Sequence, residues 1–262
     1  WRWTAASRSR RAMTPWKRYA GWVAAVMFLA IGFLFANGLS LTTRGLEGWR
    51  ALWLAHNVGG ASTGLALNLG DPTFWPRWLL MFGFALITAA AWIGLDATWL
   101  TKKESDDYLP WAAWFSSRLA LVGAGWATVA GGWYVLFTWP EGLAGRMFGF
   151  PMILLTLLTM AVPWAPAAVH WLWRRGQLDR VKAAAVAGAQ LAVLALNAIS
   201  RQVVQNIELE LGGVFQPGVS AQPVATEWGS LILFLGTFVV GVGVIVWILA
   251  QIAKASPSET VQ

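Results

Sequence analysis

A row of polar side chains around residue 200 is the feature of this sequence best suited to chemistry. The row consists of Asn197, Arg201, Gln205 and Glu208, spaced by four, four and three residues. Such spacing places the four side chains on one face of an α-helix. The residues before them are almost wholly apolar, so this face carries amides and charges to the edge of a low-dielectric environment, where each needs a partner or a function.

A second polar group lies between the first two long apolar runs of the chain and comprises His56, Asn68, Asp71 and Arg77. If the fold brings Arg77 and Asp71 together in a partly dry site, we expect them to form an ion pair. The amides would then satisfy the remaining hydrogen-bond donors. We expect this group to lie on the same side of the membrane as the row around residue 200.

Two interpretations of these polar residues are open. They could form a structural clamp that ties an outer loop to the helices. Alternatively, they could form a pocket for a quinone-like head group, or a contact surface for an outer electron carrier, because quinone carbonyls need donors beside an apolar channel. For the second interpretation the candidate cofactor-binding residues are His56, Asn68, Asp71, Arg77, Asn197, Arg201 and Gln205.

The composition argues against a metal centre, and no catalytic residue can be assigned. The chain has no cysteine and only two histidines, His56 and His170, which excludes disulfides, thiolate metal sites and iron–sulfur ligation. We expect the two histidines on opposite sides of the membrane, where they cannot ligate one haem together. Haem or chlorophyll is therefore expected on partner subunits.

A smaller polar set lies towards the other side of the membrane. Asp96, Arg118 and His170 fall near the ends of apolar runs. The simplest expectation is an Asp96–Arg118 ion pair that neutralises two interfacial charges. A proton-entry relay through His170 is the alternative.

Elements that could position these residues follow from hydropathy. Hydrophobic residues make up 57% of 262 positions and charged residues only 12%, against about 25% charged residues in soluble domains. Apolar runs long enough to cross the hydrocarbon core occupy residues 19–41, 77–100, 115–138, 148–173, 181–203 and 228–253. The sequence predicts an all-α, polytopic membrane helical bundle. Many of the 20 tryptophans lie at the ends of the runs, as interfacial anchors do.

A seventh apolar stretch, residues 49–69, is excluded as a span by the basic residues. With six spans and the amino terminus inside, fourteen of the 19 lysines and arginines are cytoplasmic and five are outside. A seventh crossing would divide them nine to ten, without the bias that membrane proteins show. The net charge of +7 thus reflects membrane orientation and not nucleic-acid binding.

The resulting domain plan has three parts. Residues 1–18 form a basic cytoplasmic segment, residues 19–253 form the six-helix transmembrane domain, and residues 254–262 form a disordered tail, also cytoplasmic. Two outer segments are expected, residues 42–76 and 204–227. The first is predicted to hold an interfacial or re-entrant helix followed by the Gly70-Asp71-Pro72 turn.

Several stretches resemble six-span membrane subunits of bacterial cytochrome-linked respiratory complexes. They are Phe33-Leu-Phe-Ala-Asn37, Asn68-Leu-Gly-Asp-Pro-Thr73, Pro76-Arg77-Trp-Leu-Leu80 and Ser200-Arg-Gln-Val-Val-Gln-Asn-Ile-Glu-Leu209. The family pattern carries a histidine shortly after the Pro-Arg pair, where this chain has Leu80. The resemblance implies a bacterial inner-membrane subunit that handles quinol or docks a periplasmic cytochrome.

From these features we expect an integral-membrane subunit of an electron-transfer complex, in contact with lipid and with other membrane subunits, and not catalytic alone. A purely structural or assembly subunit is the alternative, including one in a pigment-binding photosynthetic complex. A small-solute transporter ranks lowest, because the span centres are almost wholly apolar and no sequence repeat is found.

Overall fold

The computed structural model describes residues 15–64, 66–100, 108–173, 178–214 and 228–255. The fold is all-α, as the composition predicts. Along the chain the helices are α1 (Pro15–Ser40), α2 (Gly45–His56), α3 (Phe74–Leu95), α4 (Tyr108–Thr138), α5 (Glu141–Met147), α6 (Met152–Ala161), α7 (Ala165–Leu172), α8 (Arg180–Leu211) and α9 (Trp228–Ala255). Short helical turns follow α1 (Leu41–Arg44), α3 (Asp96–Leu100) and α6 (Val162–Trp164).

Six helical stretches in these ranges are long and apolar enough to cross a membrane. They contain α1, α3, α4, the α6–α7 pair, α8 and α9. The prediction of a six-span polytopic bundle is confirmed. We call the end of the bundle with α2, the start of α3 and the end of α8 the α2 end, and the opposite end the α7 end. Which end faces outward stays a prediction.

The segment between the first two spans does not add a seventh crossing. Helix α2 has 12 residues, or about 18 Å at ~1.5 Å per residue, against roughly 30 Å of hydrocarbon. Gly45 at its start has a φ of 64°, a left-handed conformation that glycine adopts without strain and that turns the chain away from α1. After α2 the strands β1 (Asn57–Val58) and β2 (Ala61–Ser62) pair antiparallel.

The third span begins earlier than predicted, at Tyr108, and two others differ in form or length. The fourth is interrupted between α6 and α7, where Pro163 and Pro166 each remove a backbone donor. The fifth runs on as α8 to Leu211, so the first residues of the predicted outer segment 204–227 are helical. The basic segment before residue 15, residues 215–227 and the tail after residue 255 lie outside the described residues.

The tightest helix pair is α3 with α4, which approach through small residues. A Cβ added to Gly83 would lie 2.9 Å from the backbone nitrogen of Ala127, and one added to Gly123 would lie 2.7 Å from the Ile87 side chain. Helices α7 and α8 pack against each other and against this pair, so the core forms around α3, α4, α7 and α8. By contrast, every side chain of α9 that the structure describes is exposed, and so are residues 21–31 of α1. These apolar surfaces are available to lipid.

Candidate functional site

A buried ion pair joins α3 to α8 at the α2 end. The Nη2 atom of Arg77 lies 2.5 Å from Oε1 of Glu208, and the two side chains are 9% and 4% exposed. The same Nη2 donates to the hydroxyl of Tyr134 at 2.8 Å, and Nη1 donates to the carbonyl of Leu39. Thr42 donates to the other Glu208 oxygen at 2.6 Å. Each charge is thus both paired and hydrogen-bonded, as a buried charge requires.

The sequence placed these two partners differently. The expected Arg77–Asp71 ion pair is wrong, because the Asp71 carboxylate accepts hydrogen bonds from Thr43 and from the turn that begins α3. One Asp71 oxygen accepts from the hydroxyl of Thr43. The other accepts from the backbone N–H of Thr73 at 2.8 Å and from its hydroxyl at 2.5 Å. The longer side chain of Glu208 reaches Arg77 from α8 instead.

A second buried network fixes the loop between β2 and α3 to the end of α1. The side chain of Asn68 is fully buried. Its amide donates to the Ser40 carbonyl and hydroxyl at 3.1 and 3.0 Å, and its oxygen accepts from Nε of Arg44 at 2.6 Å. The Asn68 backbone N–H donates to the Asn37 side chain at 2.7 Å, which in turn donates to the carbonyl of Ala66 at 3.0 Å. This arrangement is the clamp that the sequence left open as one interpretation.

A cavity of about 320 Å³ lies beside the Arg77–Glu208 pair, within the size range of small-molecule sites. Its walls come from α1, α3, α4, α6 and α8 and are mostly apolar. Apolar lining residues include Phe35, Leu80, Met81, Phe84, Val135 and Met160. The polar lining residues include Arg77, Tyr134, Trp139, Thr159, Asn197, Arg201, Gln205 and Glu208.

The polar row of α8 lines this cavity along one helical face, as its spacing predicts. Asn197 and Gln205 are half-buried and Arg201 is exposed, while Glu208 is buried. Glu208 forms the ion pair. The side chains of Asn197, Arg201 and Gln205 have no hydrogen-bond or ion-pair partner in the described part of the chain.

Two further cavity groups lack partners although their polar atoms are buried. In the described part of the chain, neither the indole N–H of Trp139 nor the hydroxyl of Thr159 forms a hydrogen bond. The ring of Tyr134 packs edge-on against the indole, with 5.7 Å between centroids. Both residues line the cavity. Buried polar atoms of this kind are uncommon in folded proteins and point to a partner outside the chain, such as a ligand or water.

Of the seven candidate residues, four line the cavity: Arg77, Asn197, Arg201 and Gln205. Asn68 and Asp71 lie in the neighbouring loop and act on it through the contacts above. His56 does not join them. It ends α2, is half-buried, and its Nδ1 lies 3.1 Å from the carbonyl of Leu52 in its own helix.

Sequence reasoning left Tyr134, Thr42 and Thr159 out of the site. Tyr134 is one of three tyrosines in the chain, but it lies in an apolar run in which Thr138 is its one polar neighbour at helical spacing. Nothing in the linear sequence brings it to Arg77, which it meets 57 residues away. Glu208 carried a signal, because it continues the row at a helical interval.

At the α7 end the buried polar groups are arranged differently. Among the residues that the structure describes, both ring nitrogens of His170 and, further along α8, the amide oxygen of Gln190 are buried without a hydrogen-bond partner. Lys182 is 4% exposed, and its Nζ donates to the carbonyl of Trp173 at 3.1 Å. His170 lies in α7, so the two histidines fall at opposite ends of the bundle, and a single haem held by both is excluded geometrically.

The expected Asp96–Arg118 ion pair is also not formed. The hydroxyl of Tyr108 donates to Asp96 at 2.8 Å. The Arg118 guanidinium instead lies 4.4 Å above the ring of Trp114, as a cation–π contact at an exposed position.

An exposed ion pair joins α5 to the end of α8. Arg146 donates to both oxygens of Glu210, at 2.7 and 3.1 Å. These hydrogen bonds, together with the carboxylate charge, raise the pKa of the Arg146 guanidinium above its ordinary value. The pair lies outside the cavity and offers a solvent-facing counterpart to the Arg77–Glu208 pair.

Comparison with known proteins adds no family to these observations. The chain matches no family model, no curated protein and no solved structure. No group of three or more metal-ligating side chains occurs among residues that the structure describes. The function is therefore inferred from the cavity and its lining.

Proposed function

We propose that this chain is an integral-membrane subunit of a multi-subunit electron-transfer complex, and that its cavity binds the head group of a quinone or quinol. The observation that carries the proposal is the cavity itself. Apolar walls from five helices enclose about 320 Å³, and hydrogen-bonding groups converge on it from α4, α6 and α8. A flat apolar ring with carbonyl oxygens is complementary to such a space.

The position of the cavity supports a ligand that dissolves in the membrane. All the helices that line it belong to spans. Arg77 and Glu208 neutralise one another at its edge, so the remaining polar surface comes from amides, hydroxyls, an indole and Arg201. A quinone would place its ring among these groups and its tail along the apolar walls.

A role within a complex follows from what the chain offers for redox chemistry. Its two histidines are at opposite ends of the bundle, and cysteine is absent from the sequence. A quinone bound here would exchange electrons with a cofactor on a partner subunit, such as a haem protein on the outer face of a bacterial inner membrane. The unpacked apolar surfaces of α9 and of the first half of α1 leave room for other membrane subunits.

Filling the cavity tests the proposal. Gly132 lines the cavity, and a Cβ there meets no atom within 4 Å, so Gly132→Leu adds a side chain to open space. We expect this variant to fold and to lose binding of a decyl-benzoquinone, measured by titration of the full chain in lipid nanodiscs.

Gly125→Leu is the matched control. Gly125 lies two turns earlier on α4, also has open space at its Cβ, and does not line the cavity. It should bind the quinone as the wild type does. Equal binding by both variants, or none by the wild type, would reject the cavity as a quinone site.

A structural subunit is the second candidate, favoured by the buried networks that tie α1, α3, α4 and α8 together. Replacing Arg201, which takes no part in these networks, separates the two roles. Loss of electron transfer in an intact purified complex supports a site, whereas loss of assembly supports a scaffold. A purified complex without a redox centre in any subunit would exclude an electron-transfer role.

A further inference from the structure

The balance of donors and acceptors around the cavity carries a further inference. Glu208 is the one acidic residue in its lining, and both of its oxygens already accept hydrogen bonds, from Arg77 and Thr42. The Tyr134 oxygen likewise accepts from Arg77. Each of these strong acceptors thus already has one hydrogen bond within the chain.

Two of the five groups without partners can only donate, and none of the five can only accept. Arg201 carries a guanidinium, which only donates, and it has no partner among the residues described. The indole N–H of Trp139 also only donates, and the Thr159 hydroxyl can donate; both atoms are buried and form no hydrogen bond with the residues that the structure describes. The amides of Asn197 and Gln205 can turn either way. A ligand that accepts hydrogen bonds can pair with the two groups that only donate and with the N–H or O–H of the other three.

The two redox forms of a quinone differ in this respect. The oxidised ring presents two carbonyl oxygens, which accept. The quinol presents two hydroxyls, and each of them needs an acceptor for its hydrogen bond. A buried hydroxyl donor without an acceptor weakens binding. Arg201 can donate to the oxygen of a quinol hydroxyl, but it offers no acceptor for the hydroxyl proton.

We propose that the cavity selects the acceptor-only, oxidised form and binds quinone more tightly than quinol. This inference rests on the proposed quinone site and adds its selectivity. We expect the Kd of the quinol to exceed that of the quinone by about tenfold or more. Each tenfold preference for the oxidised form lowers the midpoint potential of the bound two-electron couple by about 30 mV.

The test is a pair of titrations on the full chain in lipid nanodiscs under argon. The probes are a decyl-benzoquinone and the same molecule reduced to its quinol. Tighter binding of the quinone supports the inference. Equal binding, or tighter binding of the quinol, overturns the inference and leaves the quinone site standing. If neither probe binds, the proposed function itself fails.

Variants locate the selectivity. Arg201→Gln should raise the Kd of the quinone at least about fivefold and that of the quinol little, so that the ratio falls towards one. Arg201→Lys, which keeps a charged donor, should retain part of the preference for the quinone. Arg50→Gln changes an exposed arginine outside the cavity and should leave both constants unchanged.

A second variant keeps the test decisive if Arg201→Gln fails to give a monodisperse protein. Thr159→Val removes only the hydroxyl at nearly constant shape and should also lower the ratio, by a smaller factor. A wild-type preference that neither variant alters would show that these donors do not set it and would overturn their assignment.

Discussion

At the α2 end, Arg77 and Glu208 are buried and each has hydrogen-bond partners from other helices. At the α7 end, both nitrogens of His170 are buried and have no such partner in the part of the chain that the structure describes. The difference separates two uses of polarity in a membrane bundle. A saturated network holds helices in one arrangement, whereas an unsaturated group costs stability wherever no outside partner supplies the missing bond.

The largest effect is expected from breaking the ion pair on one side. Glu208→Leu leaves the guanidinium of Arg77 buried without its counter-charge, and removing one partner of a buried pair costs about 3–5 kcal/mol. We expect a large fall in the midpoint of thermal unfolding in detergent. The double variant Arg77→Met with Glu208→Leu should recover much of that loss, because no uncompensated charge remains.

The exposed pair supplies the control. Arg146→Gln removes a partner of Glu210 in a pair whose side chains are 45% and 36% exposed. Its unfolding midpoint should stay near that of the wild type, because water solvates the remaining charge. If Glu208→Leu proves no more harmful than Arg146→Gln, the α2 end is not held by its ion pair.

An intermediate loss is expected at Asn68. Asn68→Ala keeps the charge balance but removes the amide that serves Ser40 and Arg44, leaving buried groups unpaired at a cost of about 1–3 kcal/mol. The same thermal measurement checks it. Proteolysis between residues 57 and 73 should also quicken, because the loop loses its attachment to α1. An unchanged cleavage rate would argue against the clamp.

The smallest effect, with the opposite sign, is expected at the α7 end. His170→Leu removes two unsatisfied ring nitrogens from the interior, so the unfolding free energy should stay equal or rise by about 1 kcal/mol. A clear loss of stability would show that His170 has a partner in the native membrane. Loss of an absorption band from the purified complex would identify that partner as a cofactor, and the contrast between the two ends would then disappear.

The number of spans and the face of the polar row could be read from local rules. Hydropathy and the distribution of basic residues led to six crossings, and the four-, four- and three-residue spacing placed Asn197, Arg201 and Gln205 on the face that lines the cavity. These features depend on neighbours within a few turns of one helix. Periodicity alone is enough to define them.

The pairings could not be obtained in the same way. Arg77 is six residues from Asp71 but 131 from Glu208, and sequence proximity favoured the wrong partner. The carboxylate of Asp71 accepts hydrogen bonds within the turn before α3. The sequence alone does not show that these local bonds compete with an ion pair to Arg77. The Asp96–Arg118 pair failed for a similar reason, since Tyr108 and Trp114 offer these charges nearer contacts. His56 was wrongly predicted to join the site. It is the last residue of α2, and its imidazole contacts the carbonyl of Leu52 in the same helix.

The junction between the start of α2 and the end of α8 has a consequence for biosynthesis. The backbone N–H of Leu46 donates to the carbonyl of Gly212 at 3.2 Å, and a Cβ on Gly212 would lie 2.8 Å from Cα of Gly45. Thr42 and Glu208, which meet beside it, are 166 residues apart. At typical elongation rates a ribosome needs roughly ten to thirty seconds to cover that interval. Throughout this time the fifth span has not been synthesised, so the α2 segment lacks its contacts with α8. The position of α2 at the membrane is fixed only after α8 has been made.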